Sequence, residues 1–285
     1  MLKRVSKLFS IVSVIIVGTI TWSLTMVRSG LLYDFGLGFW GANGHDSIWH
    51  IALSEGLSRG TFENPVFAGE SIKNYHIGFD LLLALLHNIT TIPISILYFQ
   101  ILPVIFSALI GVLVYKFVYL WRGSKVESLW AVFFVYFSSS FGFIVTFLRG
   151  GQITGESMFW SQQSISTLIN PPFTLSLIFI LLGLIALQKK KLLLSILFFG
   201  ILIQIKAYAA ILVLGALFVA SIYSFYKEHS SYHIKVFLGS LFLNLFLLSL
   251  TKNDSLSVFV WQPMWFLETM MSYSDRLDWT RFYSA

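Results

Sequence analysis

The long apolar run Ile92–Trp121, which contains only one charged side chain, Lys116, constrains the fold more than any other feature of the sequence. An α-helix needs roughly 20 mostly apolar residues to cross the hydrocarbon core of a bilayer. Charged residues make up 11% of the chain, whereas soluble domains usually contain about 25%. The sequence therefore predicts a polytopic all-α membrane protein.

Several other apolar runs are long enough to cross a membrane or nearly so. The first follows three basic residues, and its length favours an uncleaved anchor over a signal peptide. Two further runs flank Lys206, and each is short for a crossing. We predict about seven transmembrane helices in a single module, residues 1–285. The runs are Leu8–Met26, Ile92–Trp121, Leu129–Leu148, Leu168–Leu187, Leu192–Ile205, Ala207–Phe225 and Val236–Leu250.

The positions of Lys and Arg predict the orientation of the chain, because these residues accumulate in cytoplasmic segments. With a cytoplasmic N-terminus, four successive basic segments fall on the cytoplasmic side, among them Lys189–Lys191. Residues 27–91 then form a large extracytoplasmic loop. We expect a multi-pass protein of a prokaryotic inner membrane, the cell membrane, with any active site on the extracytoplasmic face.

Two short helices are predicted within the first outer loop. Ile77–His87 is interrupted by Asp80 and is too short to cross, so we expect it to lie in the membrane interface. Asp46–Leu57 places apolar residues at helical spacing and is predicted to be a second interfacial helix.

This arrangement resembles the GT-C glycosyltransferases, a superfamily of membrane enzymes. The resemblance rests on segments in two outer loops: Gly44–His50, Asn64–Glu70, Lys73–His76, Ser157–Trp160 and Asn170–Phe173. It implies transfer of a sugar from a polyprenyl-phosphate donor to a lipid, glycan or protein acceptor. Members usually have more spans and a soluble C-terminal region, so we expect a minimal member or one truncated at its C-terminus.

The resemblance implies that an acid early in the first outer loop is the general base, and Asp46 occupies the matching position. A carboxylate suits this role because the acceptor hydroxyl must lose its proton as it attacks. The alternative is that Asp46 caps the following helix. Asp34 is the second candidate for the base, and Glu156 is a candidate acid in the later outer loop.

Lys206 lies between two apolar runs, where a charge is costly and usually has a partner and a role. We expect it to contact the lipid phosphate together with Arg149; the alternative is that it occupies a short outer turn. The full set of candidate substrate-binding residues is His45, His50, Glu70, Lys73, Tyr75, His76, Arg149 and Lys206.

A divalent metal is a further possibility that the sequence leaves open. Asp46 and His50 are spaced i, i+4 on one helix, which suits two ligands. His45, His76, Glu63 and Glu70 could complete the set, and the resemblance does not decide the matter because only some GT-C enzymes hold a metal.

Two other classes of function compete with the glycosyltransferase. A transporter or flippase for a lipid-linked glycan would use Lys206 for phosphate without needing Asp46, and a non-catalytic membrane scaffold would need neither. The sequence contains no phosphate-binding glycine loop and no basic face with interleaved aromatic residues. We therefore expect membrane lipids as partners and no nucleic acid.

Overall fold

The computed structural model describes residues 2–138 (apart from 40, 68 and 74), 147–148 and 167–251. The chain begins with helix α1, Leu2–Ser23. A two-stranded antiparallel hairpin follows, formed by β1, Leu31–Tyr33, and β2, Gly36–Gly38. The purely helical fold class predicted from the sequence is thus correct for the large elements and missed this hairpin.

The two predicted loop helices are confirmed as helices. Helix α2 spans Asp46–Ser58 and helix α3 spans Gly78–Thr90, with 13 residues each. At 1.5 Å per residue each is about 20 Å long, well short of a hydrocarbon core of about 30 Å. Helices α2 and α3 pack against each other, and their position at the membrane interface stays a prediction.

Helix α4, Ile94–Arg122, corresponds to the long apolar run and is continuous through a π-helical turn at Leu97–Ile101. Helix α5, Lys125–Phe137, begins at the N-cap Ser124, whose side chain accepts a hydrogen bond from the Glu127 amide. The predicted span Leu129–Leu148 is therefore confirmed as helix only to Phe137, and most of its remainder lies outside the described residues.

The C-terminal half of the described chain contains α6, Pro171–Gln188, then α7, Leu192–Gly200, and the one-turn helix α8, Leu202–Ile205. Helices α9, Ala207–Glu228, and α10, Tyr232–Thr251, complete it.

Four helices in the described part of the chain, α4, α6, α9 and α10, are long and apolar enough to cross a membrane. This indicates a membrane protein, while the count of seven spans and the orientation stay predictions. The expectation that the run after Lys206 is short for a crossing was wrong, because the helix continues to Glu228 and reaches 22 residues.

A tyrosine side chain joins α1, α4 and α5. A Cβ added at Gly18 or at Gly111 would lie within 2.3 Å of Tyr136, so both glycines leave space for this ring. The Tyr136 hydroxyl donates to the Ser107 carbonyl at 2.7 Å, and the indole N–H of Trp22 donates to the Tyr136 carbonyl at 3.0 Å. These bonds satisfy buried polar groups where water is scarce.

An amide side chain from α10 bridges the break between α7 and α8. The Ile203 amide donates to Asn244 Oδ1 at 3.1 Å, and Asn244 Nδ2 donates to the Phe199 carbonyl at 3.1 Å. Residues 199 and 203 are an i, i+4 pair, so Asn244 replaces the backbone hydrogen bond that a continuous helix would make. Inserting a side chain into this ladder is a known cause of helix kinks.

The hairpin is held against the first part of α4. Gln100 Nε2 donates to the carbonyls of Val27 and Ser29 at 3.0 and 2.8 Å. Asn43 Nδ2 donates to the Ser29 hydroxyl at 2.8 Å. At Gly30, with φ of +71°, an added Cβ would lie 2.5 Å from the Phe99 ring. The root of the hairpin is therefore fixed beside the π-helical turn.

Candidate functional site

A buried histidine–aspartate pair joins α2 to α3. His50 Nδ1 lies 2.8 Å from Asp80 Oδ1, and the two side chains are only 4% and 0% exposed. The Ser54 hydroxyl, one turn further along α2, lies 3.5 Å from the same oxygen. Burial raises the pKa of Asp80 because it disfavours the carboxylate, while the hydrogen bond to His50 opposes that rise.

Aromatic rings surround the buried His50. The ring centroids of Phe79, Tyr98 and Tyr75 lie 5.7, 6.1 and 6.5 Å from that of His50. Burial, followed by the charge of Asp80, raises the pKa of the Tyr75 hydroxyl, so it stays protonated. The rings restrict access of water to the buried pair.

His76 lies between the aromatic rings around His50 and the C-terminal half of the chain. Its ring stacks on that of Tyr75 with centroids 4.6 Å apart. Burial, and then the charge of Lys206, lower the pKa of His76 to about 4. His76 is therefore neutral at physiological pH and close enough to Lys206 to sense its charge.

Lys206 occupies a break between two helices. Its backbone is extended, with φ of −158° and ψ of 110°, and it separates α8 from α9. Its ammonium group donates to Asn170 Oδ1 at 3.2 Å and lies 5.6 Å from the centre of the Tyr208 ring. Asn170 is also the N-cap of α6 and accepts from the Phe173 amide at 3.1 Å. The N-termini of α6 and α9 thus meet at this lysine.

A glycine brings the start of α3 against α8. A Cβ added at Gly78 would lie 2.7 Å from the Gln204 carbonyl oxygen. Any larger side chain here would force the two backbones apart. Gly78 lies two residues from both His76 and Asp80, and Gln204 lies two residues before Lys206. The contact between Gly78 and Gln204 therefore places the buried pair near Lys206.

Asp46, the predicted base, lies at the surface at the start of α2. Its carboxylate is 61% exposed and accepts from His45 Nδ1 at 2.8 Å, and His45 is 92% exposed. Asp46 and Asp80 are both close enough to Lys206 to interact electrostatically with it. The capping alternative is wrong, because His45 is the N-cap and the helix has no side-chain cap hydrogen bond.

The structure thus brings together Asp46, His50, Tyr75, His76 and Lys206, all of which the sequence analysis named as candidate site residues. We call these five residues and Asp80 the loop–break site. His45 belongs to its edge through its bond to Asp46.

The remaining candidates lie elsewhere or outside the described residues. Asp34 is at the tip of the hairpin, between β1 and β2. Glu70 is exposed on the loop that the Glu63–Ser71 bridge closes, and Lys73 is exposed just after it. Among the described residues, no hydrogen bond or ion pair joins Asp34 to the loop–break site. Arg149 and Glu156 fall in the part of the chain that is not described.

Asp80 is the residue that the sequence reading missed. It was read as an interruption of an apolar run, although an acid inside such a run needs a partner. The partner lies 30 residues away on another helix, so only the pairing of α2 with α3 could identify it.

The metal hypothesis gains no support from the described residues. No group of three or more His, Asp or Glu side chains in this part of the chain is arranged to hold a metal ion. His50 Nδ1 is bonded to Asp80, and the Asp46 carboxylate is bonded to His45.

The sequence matches no known protein-family model, and no curated protein or solved structure is significantly similar to it.

Proposed function

We propose that the protein is a membrane glycosyltransferase of the GT-C type. It transfers a sugar from a polyprenyl-phosphate donor to a lipid, glycan or protein acceptor on the extracytoplasmic face of the cell membrane. One observation carries the proposal: an exposed carboxylate, Asp46, lies within electrostatic range of a lysine at a helix break, Lys206. This pairing provides a base for the acceptor and a cation for the donor.

In the proposed reaction Asp46 takes the proton of the acceptor hydroxyl. The hydroxyl oxygen forms a bond to the anomeric carbon of the sugar as the bond from that carbon to the phosphate oxygen breaks. The lipid phosphate leaves with the electron pair. The exposure of Asp46 supports this role, because a polar acceptor can reach it from water, and general bases act at hydrogen-bond distance.

Lys206 is proposed to hold the phosphate. Its ammonium group lies at the N-terminus of α9 and bonds only a neutral amide, Asn170, among the described residues. Backbone N–H groups at a helix N-terminus favour anions, so both the lysine and the N-terminus of α9 favour binding of the phosphate. His76 is neutral beside it and adds no competing charge.

The His50–Asp80 pair is proposed to position Asp46 without touching the substrate. Asp46 precedes His50 by one turn on α2, and the buried pair fixes that turn against α3. Holding a catalytic group within a fraction of an ångström matters because small misplacements cost large factors in rate.

The test is turnover of polyprenyl-phosphate sugars by purified protein in nanodiscs. Asp46→Asn is expected to lower the rate by about 10²–10⁴-fold, because the amide keeps the shape of the carboxylate but cannot take a proton. Asp34→Asn tests the second candidate for the base; it is expected to keep full activity, because no hydrogen bond or ion pair among the described residues joins Asp34 to the loop–break site. Equal activity in both variants would rule out Asp46 as the base.

Lys206→Ala tests the donor site in the same assay. It is expected to raise the KM for the donor, because the phosphate contact is made before the chemical step. An unchanged KM would remove the phosphate role from Lys206.

A flippase for a lipid-linked glycan is the second candidate, and the helix break at Lys206 favours it. Broken helices whose ends face a charged substrate are typical of transporters. In a flippase Lys206→Ala would slow translocation of the lipid across vesicles, while Asp46→Asn would have little effect. The two variants therefore distinguish the two functions.

A further inference from the structure

The hairpin formed by β1 and β2 presents an apolar face that no described element covers. Leu32 and Leu37 are directly opposite each other in the register, so their side chains lie on the same face. They are 83% and 57% exposed, and Phe35 in the connecting turn is 82% exposed. Only Arg28 near the root and Asp34 at the tip carry charge in residues 27–39.

The opposite face of the hairpin carries the stacked rings of Tyr33 and Phe35. A Cβ added at Gly38 would lie 2.5 Å from the Tyr33 ring, and this ring stacks on Phe35 with centroids 5.2 Å apart. The Tyr33 hydroxyl donates to the Arg28 carbonyl at 2.7 Å. These contacts occupy the face opposite Leu32 and Leu37 and stabilise a two-stranded hairpin, which alone is marginally stable in water.

The depth of the hairpin in a membrane follows from the point at which it is attached to α4. Arg122 and Trp121, both exposed, end α4 and mark one boundary of the bilayer, where such residues concentrate. From Arg122 back to Gln100 the helix rises about 33 Å at 1.5 Å per residue. The hydrocarbon core is about 30 Å thick, and a tilt of about 20° shortens the rise only slightly. Gln100, and the hairpin root bonded to it, therefore lie at the opposite boundary.

We infer that the face formed by Leu32 and Leu37 inserts into the lipid headgroup boundary and anchors the first loop to the bilayer. Each strand has three residues and spans about 10 Å, so the tip lies within about 10 Å of the depth of its root. Apolar side chains at this depth are stabilised by removal from water. The inference does not depend on the proposed function or on which side of the membrane is cytoplasmic.

The chain has no native cysteine, which allows spin labels at single sites. Leu32→Cys and Leu37→Cys would be labelled with a nitroxide, and the protein reconstituted in phosphatidylcholine–phosphatidylglycerol vesicles. Leu245→Cys on α10 serves as the lipid-facing reference and Arg59→Cys, after α2, as the aqueous reference; both positions are exposed. Collision rates with oxygen, which enters lipid, and with a water-soluble nickel complex are then compared.

Labels at 32 and 37 are expected to show an oxygen-to-nickel ratio several-fold above that at 59 and below that at 245, because the ratio rises with depth in the bilayer. A ratio equal to that at 59 would place the face in water and overturn the inference. Low collision rates with both reagents would also overturn it, since they would show that a protein surface, such as a second copy of the chain, covers the face. Circular dichroism and elution volume of each labelled variant establish that it is folded.

Discussion

Two histidine–aspartate pairs that involve α2 have the same interatomic distance and opposite surroundings. In each, the histidine Nδ1 and the aspartate Oδ1 are 2.8 Å apart. The His45–Asp46 pair begins α2 in contact with solvent, whereas the His50–Asp80 pair, one turn later, is enclosed between α2 and α3. Distance alone therefore does not reveal what each pair contributes.

The surroundings decide the role of each pair. An exposed ion pair contributes under about 1 kcal/mol, because water and salt screen it. A buried pair is costly to break, because the remaining polar group stays without a partner. The exposed carboxylate is free to meet a substrate, while the buried one holds two helices together. The position of Asp80 in an apolar run indicates that it needs a partner, but it does not identify His50.

The largest expected effect comes from breaking the buried pair. Asp80→Leu leaves His50 Nδ1 buried without its acceptor and is expected to lower the free energy of unfolding by about 3 kcal/mol. Asp80→Asn keeps an oxygen that accepts a hydrogen bond and should lose much less. Asp46→Leu, the matched change in the exposed pair, is expected to lose under about 1 kcal/mol.

These free energies are measurable by denaturant titration of the protein in detergent micelles. Equal losses in Asp80→Leu and Asp46→Leu would contradict the division between a structural and an accessible pair.

The second largest effect on the free energy of unfolding is expected from forcing α3 away from α8. Gly78→Ala places a methyl group 2.7 Å from the Gln204 carbonyl oxygen, and overpacking of this kind costs about 1–3 kcal/mol. Gly215→Ala is the matched control, because an added Cβ there meets nothing within 4 Å in the middle of α9. It is expected to gain about 0.5–1 kcal/mol, as Ala favours a helix over Gly. A loss at 215 as large as that at 78 would show that the close approach is not the cause.

A smaller effect on the free energy of unfolding is expected when the pH is lowered, through protonation of His76. Its pKa is about 4 in the folded protein, against an ordinary value of 6.5. Above pH 6.5 His76 is neutral in both the folded and the unfolded chain. Between pH 6.5 and 4 the unfolded chain binds the proton and the folded chain does not, so stability falls as pH falls.

His76→Gln is expected to reduce this pH dependence, which is measured from unfolding curves at several pH values. Lys206→Met is expected to raise the pKa of His76, followed by NMR of the imidazole, because the charge of Lys206 is the second cause of its low value. A pKa of His76 that stays unchanged in Lys206→Met would show that the two groups are not coupled.

The smallest effect is expected at the exposed pair itself. His45→Gln should change the free energy of unfolding by under about 1 kcal/mol. The difference should shrink further at 1 M salt, where the Debye length is about 3 Å. A difference that is insensitive to salt would mean that the contact is a hydrogen bond of a neutral imidazole and not an ion pair.

The sequence predicted the features that depend on local pattern. The apolar run Ile92–Trp121 and the amphipathic run Asp46–Leu57 both became helices close to their predicted bounds. Lys206 was recognised because a charge between apolar runs is costly. Asp80 was passed over, because its partner is set by the packing of two helices and not by spacing along the chain.

The hairpin and the full length of α9 were also missed. The hairpin has three-residue strands, too short for a pattern of alternation, and its position depends on Gln100, some 70 residues away along the chain. The polar end of α9, around Lys227 and Glu228, was read as the end of the helix, although charged side chains are tolerated where a helix leaves the membrane.

The insertion of Asn244 between Phe199 and Ile203 has a consequence for biosynthesis. Without α10, the break between α7 and α8 exposes a carbonyl and an amide that lipid cannot satisfy. Asn244 follows Ile203 by 41 residues, so the kinked segment lacks these bonds until α9 and α10 have been made. We expect α7 to α10 to enter the bilayer as one group.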